Sequence, residues 1–299
     1  MAELNYFIVD VFTERALAGN PLAVVFQSRP MQTEEMQQIA REFNLSETTF
    51  VERRPAAIEA VEGVRVRIFT TQEELNFAGH PTLGTASVLK LHAPETLCDG
   101  VIKLAENVGA IPVRFADAST LYGEMTQRDP EFGAAFESTA EKAGIARLTG
   151  LEVEDFHPGV APRIVSTGTA FAILPLRSAA SLARVSVQHA AAIQWLSDYG
   201  ARWFYLLAPS GSANPDWRAR MQFYGGEDPA TGSAAGCAIS HLVNSGVVES
   251  GQQIHLRQGV EINRPSEIYL SAEVVSGKVK NVRVAGSTTP VAKGQLFLP

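Results

Sequence analysis

AGHPTLGTASVLKL, residues 78–91, returns as GEDPATGSAAGCAISHLV at residues 226–243. Superposing His80 on Asp228, 148 residues further on, sets Pro81 on Pro229, Gly84 on Gly232 and Ala86 on Ala234. Nearly the same offset recurs around it: Gly19 and Ala23 match Gly168 and Ala172 at 149, and Gly109 matches Gly259 at 150. Three anchors in the same order indicate a duplication, which outranks any local reading of secondary structure. The expected organisation is a first domain over residues 1–129, a polar linker over 130–143, a second domain over 144–281, and a terminal strand segment, 282–299, free to return to the first domain.

The two repeated stretches read as helices over Pro81–Leu91 and Pro229–Val243. They are built almost wholly from Ala, Gly, Ser, Thr, Leu, Val and Ile, with Lys90 the one charge in the first and His241 the one ionisable residue in the second. A helix apolar on every face must be buried on every face. Most other segments are short and strand-like between Gly, Pro and Asn, such as Tyr6–Phe12, Thr49–Glu52, Val64–Phe69 and Ile268–Leu270. The expected fold is therefore α+β: two pseudo-symmetric domains, each a curved, mostly antiparallel, barrel-like sheet around one central helix. Thr33–Phe43 differs, with Met36, Ile39, Ala40 and Phe43 at i, i+3, i+4, i+7, and reads as an outer amphipathic helix capped by Thr33.

Composition excludes several classes. The chain has 299 residues, 45% hydrophobic, with 25 Lys+Arg against 32 Asp+Glu and a net charge of −7. That balance, without a basic cluster, argues against nucleic acid and anionic membrane surfaces as partners. The start, MAELNYFIVDVF, reads as a first strand rather than a secretory segment, and no run is long and apolar enough to span a bilayer, so a cytoplasmic protein is expected. Cys98 and Cys237 have neither disulfide-scaffold nor zinc spacing, and no metal is expected. GEDPATGS lacks the lysine and glycine spacing of a phosphate loop, and neither GxGxxG nor GxSxG occurs, so no cofactor is expected.

The chemistry is expected at the two helix starts. Their first N–H groups have no intrahelical acceptor and lie at the positive end of the helix dipole, which suits a small carboxylate. A two-fold-like pairing of the domains would turn both starts onto one cleft. Each proline follows an ionisable residue, His80 or Asp228. Histidine exchanges protons near neutrality, whereas aspartate is also a common helix cap whatever the function. Glu47, in a polar turn before a strand, is by composition alone an ordinary solvated glutamate.

DVFTERALAGNPLAVV (10–25), LSETTFV (45–51), FTTQEELNFAGHPTLGTA (69–86) and GGEDPATGSAAG (225–236) together resemble the PhzF-like phenazine-biosynthesis family, over nearly the whole chain. The resemblance implies the diaminopimelate epimerase-like fold, a homodimer, and an isomerase that needs no cofactor. It implies that Glu47, beside Ser46, is the proton shuttle; that His80, beside Gly79, and Asp228 complete the catalytic set; and that Thr231, Gly232 and Ser233 bind substrate. Thr71 and Asn76 stand where prolines are commoner. The epimerases of this fold oppose two cysteines, and neither helix start here has one. A single carboxylate can instead take a proton from one carbon of a conjugated acid and return it to another, best with its pKa lifted from about 4.3 toward neutrality. The alternatives are an epimerase of amino or hydroxy acids and a non-catalytic carboxylate-binding protein of the same fold.

Overall fold

The computed structural model describes residues 2–117, 119–211, 216–223 and 226–298; Gly225 of the fourth motif lies outside the described residues. The chain divides into two compact units, Met1–Thr126 with Ala285–Pro299, and Gln127–Val284.

The first unit contains β1 (Ala2–Val11), β2 (Asn20–Phe26), β3 (Glu47–Glu52), β4 (Val64–Phe69), β5 (Glu74–Leu75), β6 (Val101–Glu106), β7 (Gly109–Phe115) and β8 (Tyr122–Thr126), together with the end of the last strand, β18 (Lys278–Leu298). The pairing order β1-β2-β3-β4-β6-β7-β8-β18, with β18 returning to β1, is a closed eight-stranded ring; β5 is an extra partner of β4. Closure pairs each of the eight ring strands on both sides. The pairs β2–β3 and β4–β6 are parallel.

Inside the ring runs α3 (Gly79–His92), buried from Gly79 to Lys90 and packed against β1, β2, β3, β6, β7 and β8. Small residues make this approach possible. A Cβ on Gly84 would lie 2.6 Å from a Leu22 methyl and 2.7 Å from one of Val11. Two helices lie outside the ring. α1 (Thr33–Phe43) seats Met36, Ile39 and Ala40 on Leu4, Val25, Phe50 and Phe69, while α2 (Ala56–Glu62) buries none of its residues. The residue before α1 is Gln32, and Thr33 is already helical; its hydroxyl accepts from Arg67 Nη2 at 2.9 Å instead of capping.

The second unit likewise wraps a sheet around one buried helix, with different outer helices. Its strands are β9 (Glu131–Ala135), β10 (Arg163–Ser166), β11 (Ala170–Pro175), β12 (Phe204–Pro209), β13 (Asp216–Arg220), the small pair β14 (Gln222–Phe223) and β15 (Gly226–Glu227), β16 (Ile254–Gln258) and β17 (Ser266–Val275). The sheet runs β18-β17-β16-β13-β12-β11-β10-β9. α7 (Gly232–Asn244) is buried from Gly232 to Val243 against β10, β11, β12 and β17. α4 (Thr139–Thr149), α5 (Ala179–Ala183) and α6 (His189–Asp198) add a separate core around Phe136, Ile145, Leu182 and Leu196.

Two expectations are corrected. The stretch 130–143 is no linker: it holds β9 and the first turns of α4. β9 is an edge strand with no buried residue, so it shows no apolar alternation. The helix starts are also shifted. α3 begins at Gly79, which makes Pro81 its third residue, and α7 begins at Gly232, which leaves Pro229 outside it. Asp228–Thr231 is an irregular segment before the second helix, bridged by a hydrogen bond from the Thr231 hydroxyl to the Asp228 carboxylate.

Candidate active site

In the first unit, β2, β3 and α3 bring together a buried polar cluster. Gly19 precedes β2 with φ +66 and lies so close to β1 that a Cβ would meet the Val11 carbonyl at 2.4 Å, so glycine alone fits. That turn sends the fully buried Asn20 inward. Glu47 opens β3 opposite Leu22 of the parallel neighbour β2, and His80 is the second residue of α3. Both are buried, at 8% and 3% exposure. His80 Nε2 lies 3.5 Å from Glu47 Oε2, and His80 Nδ1 lies 3.2 Å from Asn20 Nδ2.

The protonation of this group follows from burial. Desolvation pushes the His80 imidazole down to about 3, with a smaller opposing contribution from a hydrogen bond to the Pro21 backbone. The ring is neutral at physiological pH. With the Asn20 amide nitrogen turned to Nδ1, the tautomer that fits carries the ring proton on Nε2, on the side of Glu47. The 3.5 Å separation exceeds the roughly 3.2 Å limit of a good N–H···O bond, so the proton is directed at the carboxylate without being committed to it. Gly79 is buried as the first residue of α3, and Ser46 is half-buried in the bend before Glu47.

In the second unit the residues expected at the α7 start share one network. Thr231 Oγ1 donates to Asp228 Oδ2 at 2.7 Å. Gln258, fully buried at the end of β16, donates from Nε2 to the Asp228 carbonyl at 2.8 Å and to Thr231 Oγ1 at 2.9 Å. Its Oε1 accepts from Thr231 N at 3.1 Å and from the Tyr205 hydroxyl at 3.0 Å. Gly232 and Ser233 follow as the first helical residues, with N–H groups that the helix itself leaves unspent. Gln127 Nε2 donates to the Gly232 carbonyl at 2.9 Å, and its Oε1 accepts from Thr167 at 2.6 Å.

Asn20, Gln127 and Gln258 were not singled out from the sequence. Asn20 alone had a signal, since it lies in the AGNP stretch; the two glutamines reach their partners across 105 and 27 residues of chain. Cys237 is buried within α7, and burial pushes its thiol up to about 12, which keeps it neutral. Among the described residues no cluster of His, Cys, Asp and Glu has metal-binding geometry, and no helix is long and apolar enough to cross a membrane.

A family model described as phenazine biosynthesis-like protein, PhzC-PhzF, matches residues 9–294. The chain belongs to this family. It is 37% identical over 301 residues to the trans-2,3-dihydro-3-hydroxyanthranilate isomerase of Pseudomonas aeruginosa, covering 98% of this chain and 99% of that one. Among solved structures, a predicted epimerase from Pseudomonas aeruginosa superposes with a TM-score of 0.84 at 32% identity, covering 99% of both chains. A PhzF-family phenazine biosynthesis protein of Bacillus anthracis shares the fold, with a TM-score of 0.83 at 23% identity and complete coverage of both chains. The fold is thus the diaminopimelate epimerase-like one, and the protein is an isomerase of the PhzF type.

Proposed function

We propose that this isomerase moves a proton within a small cyclic, conjugated carboxylic acid, of which trans-2,3-dihydro-3-hydroxyanthranilate is the model, with Glu47 as the one acid/base. The carrying observation is the buried Glu47 carboxylate beside a histidine held neutral. A ring with its pKa near 3 neither gives up nor takes a proton in the neutral range, which leaves the carboxylate to carry the proton. Glu47 removes a proton from one ring carbon, the electron pair shifts through the double bonds, and the same carboxyl group returns the proton to another carbon on the same face. Positioned acid–base catalysis of this kind contributes about 10²–10⁴-fold.

Recognition falls to the α7 start. The free N–H groups of Gly232 and Ser233 suit the substrate carboxylate, and their fixed dipoles meet negative charge as it develops. Asp228, held by Thr231, accepts from an amino group and completes the set.

The test is incubation of the wild type and Glu47→Gln with trans-2,3-dihydro-3-hydroxyanthranilate in D₂O, followed by mass spectrometry. The wild type should incorporate solvent deuterium at a ring carbon, and the folded variant should not. Wild-type exchange by Glu47→Gln would falsify the role of Glu47; inversion of one stereocentre without double-bond migration would replace the reading with an epimerase.

A further inference from the structure

The start of α3 has little stiffness of its own. Gly79 is permissive, Pro81 fixes only its own φ, and Ala78 before them offers no capping side chain. Yet His80 lies between them and must hold its ring against Asn20 and Glu47. What fixes this turn is Thr82, whose backbone N–H and hydroxyl both reach back to the Ala78 carbonyl, at 3.2 and 2.7 Å. The same hydroxyl lies 2.6 Å from Oε1 of Glu106, the last residue of β6, which is buried at 5% exposure.

One hydroxyl carries one proton. If Thr82 gives its proton to Ala78, the short contact to Glu106 needs a second proton, and only the Glu106 carboxyl can supply it. The other oxygen, Oε2, is buried with no hydrogen-bond partner among the described residues. An ionised carboxylate would be costly there, whereas the carbonyl oxygen of a neutral acid is tolerated far better. The second unit meets the same need with an amide. Gln258 ends β16 just before Gly259, as Glu106 ends β6 shortly before the matching Gly109, and Gln258 also donates to the threonine that orders its helix start. A glutamine donates at any pH; a glutamate donates only when protonated.

We infer that Glu106 is a hydrogen-bond donor to Thr82, and through Thr82 and Ala78 a positioning residue for His80. Burial supports it, raising the Glu106 carboxyl to about 8 against smaller opposing effects of Thr82 and Arg65. Arg65, on β4, is the charged side chain acting on it, and its guanidinium is bonded to the Ala105 carbonyl and Asn107 Oδ1. Deprotonation frees the turn, so catalysis weakens as pH rises through about 8.

Two measurements test this. Infrared difference spectra of the whole protein should show a protonated-carboxyl band at neutral pH that disappears on alkaline titration and is missing from Glu106→Gln; if the band is absent from the wild type or persists in the variant, the inference fails. The second rests on the proposed reaction and uses kcat on trans-2,3-dihydro-3-hydroxyanthranilate. Glu106→Gln should keep kcat within about threefold and lose the alkaline limb, while Glu106→Leu should lose tenfold or more in kcat with KM little changed, since misplacement by about 1 Å can cost 10²-fold. Equal loss in both variants would overturn the donor role. The infrared result stands even if the substrate is a different one, so the two failures are distinguishable.

Discussion

The two buried helix starts have the same frame and opposite proton chemistry. At the α3 start lie the buried acid–base groups Glu47, His80 and Glu106; at the α7 start lies Asp228, among the neutral Thr231, Gln258, Tyr205 and Gln127, with Cys237 and His241 further along the helix. In the first unit burial moves pKa values, down for His80 and up for Glu106. In the second, burial keeps the Cys237 thiol and the Tyr205 hydroxyl protonated, and the helix start is ordered by an amide that donates and accepts at once. Displaced pKa values mark the sites of acid–base work. The difference supports the proposal that proton transfer belongs to the α3 start and carboxylate recognition to the α7 start.

The sharpest way to break this division is a paired substitution. Glu47→Gln should lower kcat by at least about 10²-fold, because the base itself is gone. Asp228→Asn keeps shape and most hydrogen bonds, and should raise KM by roughly tenfold, the cost of weakening one charge-assisted hydrogen bond, with deuterium incorporation retained. Equal kcat losses in both would refute the separation of roles.

Gln258→Leu is the next largest. It removes the partner of the Asp228 carbonyl, the Thr231 N–H and the Tyr205 hydroxyl in a fully buried place. At about 1–3 kcal/mol for each stranded group, a loss of roughly 3 kcal/mol or more is expected from urea unfolding of the second unit. A change below 1 kcal/mol would mean that the network is dispensable.

These partners explain what the sequence could and could not reveal. α3 and α7 were legible because a run of small apolar residues has no solvent face to offer, and α1 because four apolar residues share one stripe. β9 was hidden by its exposure. α4 was missed despite a visible sign: Ser138 and Glu141 form a capping box, with the Ser138 hydroxyl accepting from Glu141 N and the Glu141 carboxylate from Ser138 N. The displacement of Pro229 from its helix was not legible, since the irregular segment around it is bonded to Gln258, brought in by a different strand. His80 and Asp228 stood out through the repeat. Glu47 did so only through the family motif, because its burial is a property of the folded ring.

Glycine gives a smaller contrast of the same kind. A Cβ on Gly236 of α7 would stand 1.9 Å from Gln127 Oε1, in a side chain pinned by Thr167 and Gly232. Gly236→Ala should cost about 1–3 kcal/mol through overpacking. Gly144 sits in α4, where the nearest atom to a Cβ is a flexible Arg147 nitrogen at 4.0 Å. Gly144→Ala should instead raise stability by about 0.5–1 kcal/mol, the helical advantage of alanine. Thermal melts of both variants suffice, and a stabilising Gly236→Ala would show that the glycine is not required for packing.

The smallest effect separates two histidines by sign. His80 is buried with a depressed pKa, so folding excludes its proton and stability falls as pH drops below about 6.5, the unfolded value. His255, on the surface of β16, is raised first by the hydrogen bond its ring donates to Glu267 and then by the charges of Glu267 and Asp216; its Nδ1 is 3.3 Å from Asp216 Oδ1. Its folded form holds the proton more tightly than the unfolded chain. That stabilisation is complete below about pH 6.5 and is lost as pH rises through the elevated folded value. Because the ring is a quarter exposed, solvent screening limits it to about 1 kcal/mol or less. Urea unfolding of the wild type and His255→Gln across pH 5–9 should therefore show a difference that shrinks with rising pH and with added salt. A difference that grows with pH would mean that the imidazole is neutral in the folded protein, and that Glu267 and Asp216 hold it as uncharged hydrogen-bond acceptors would.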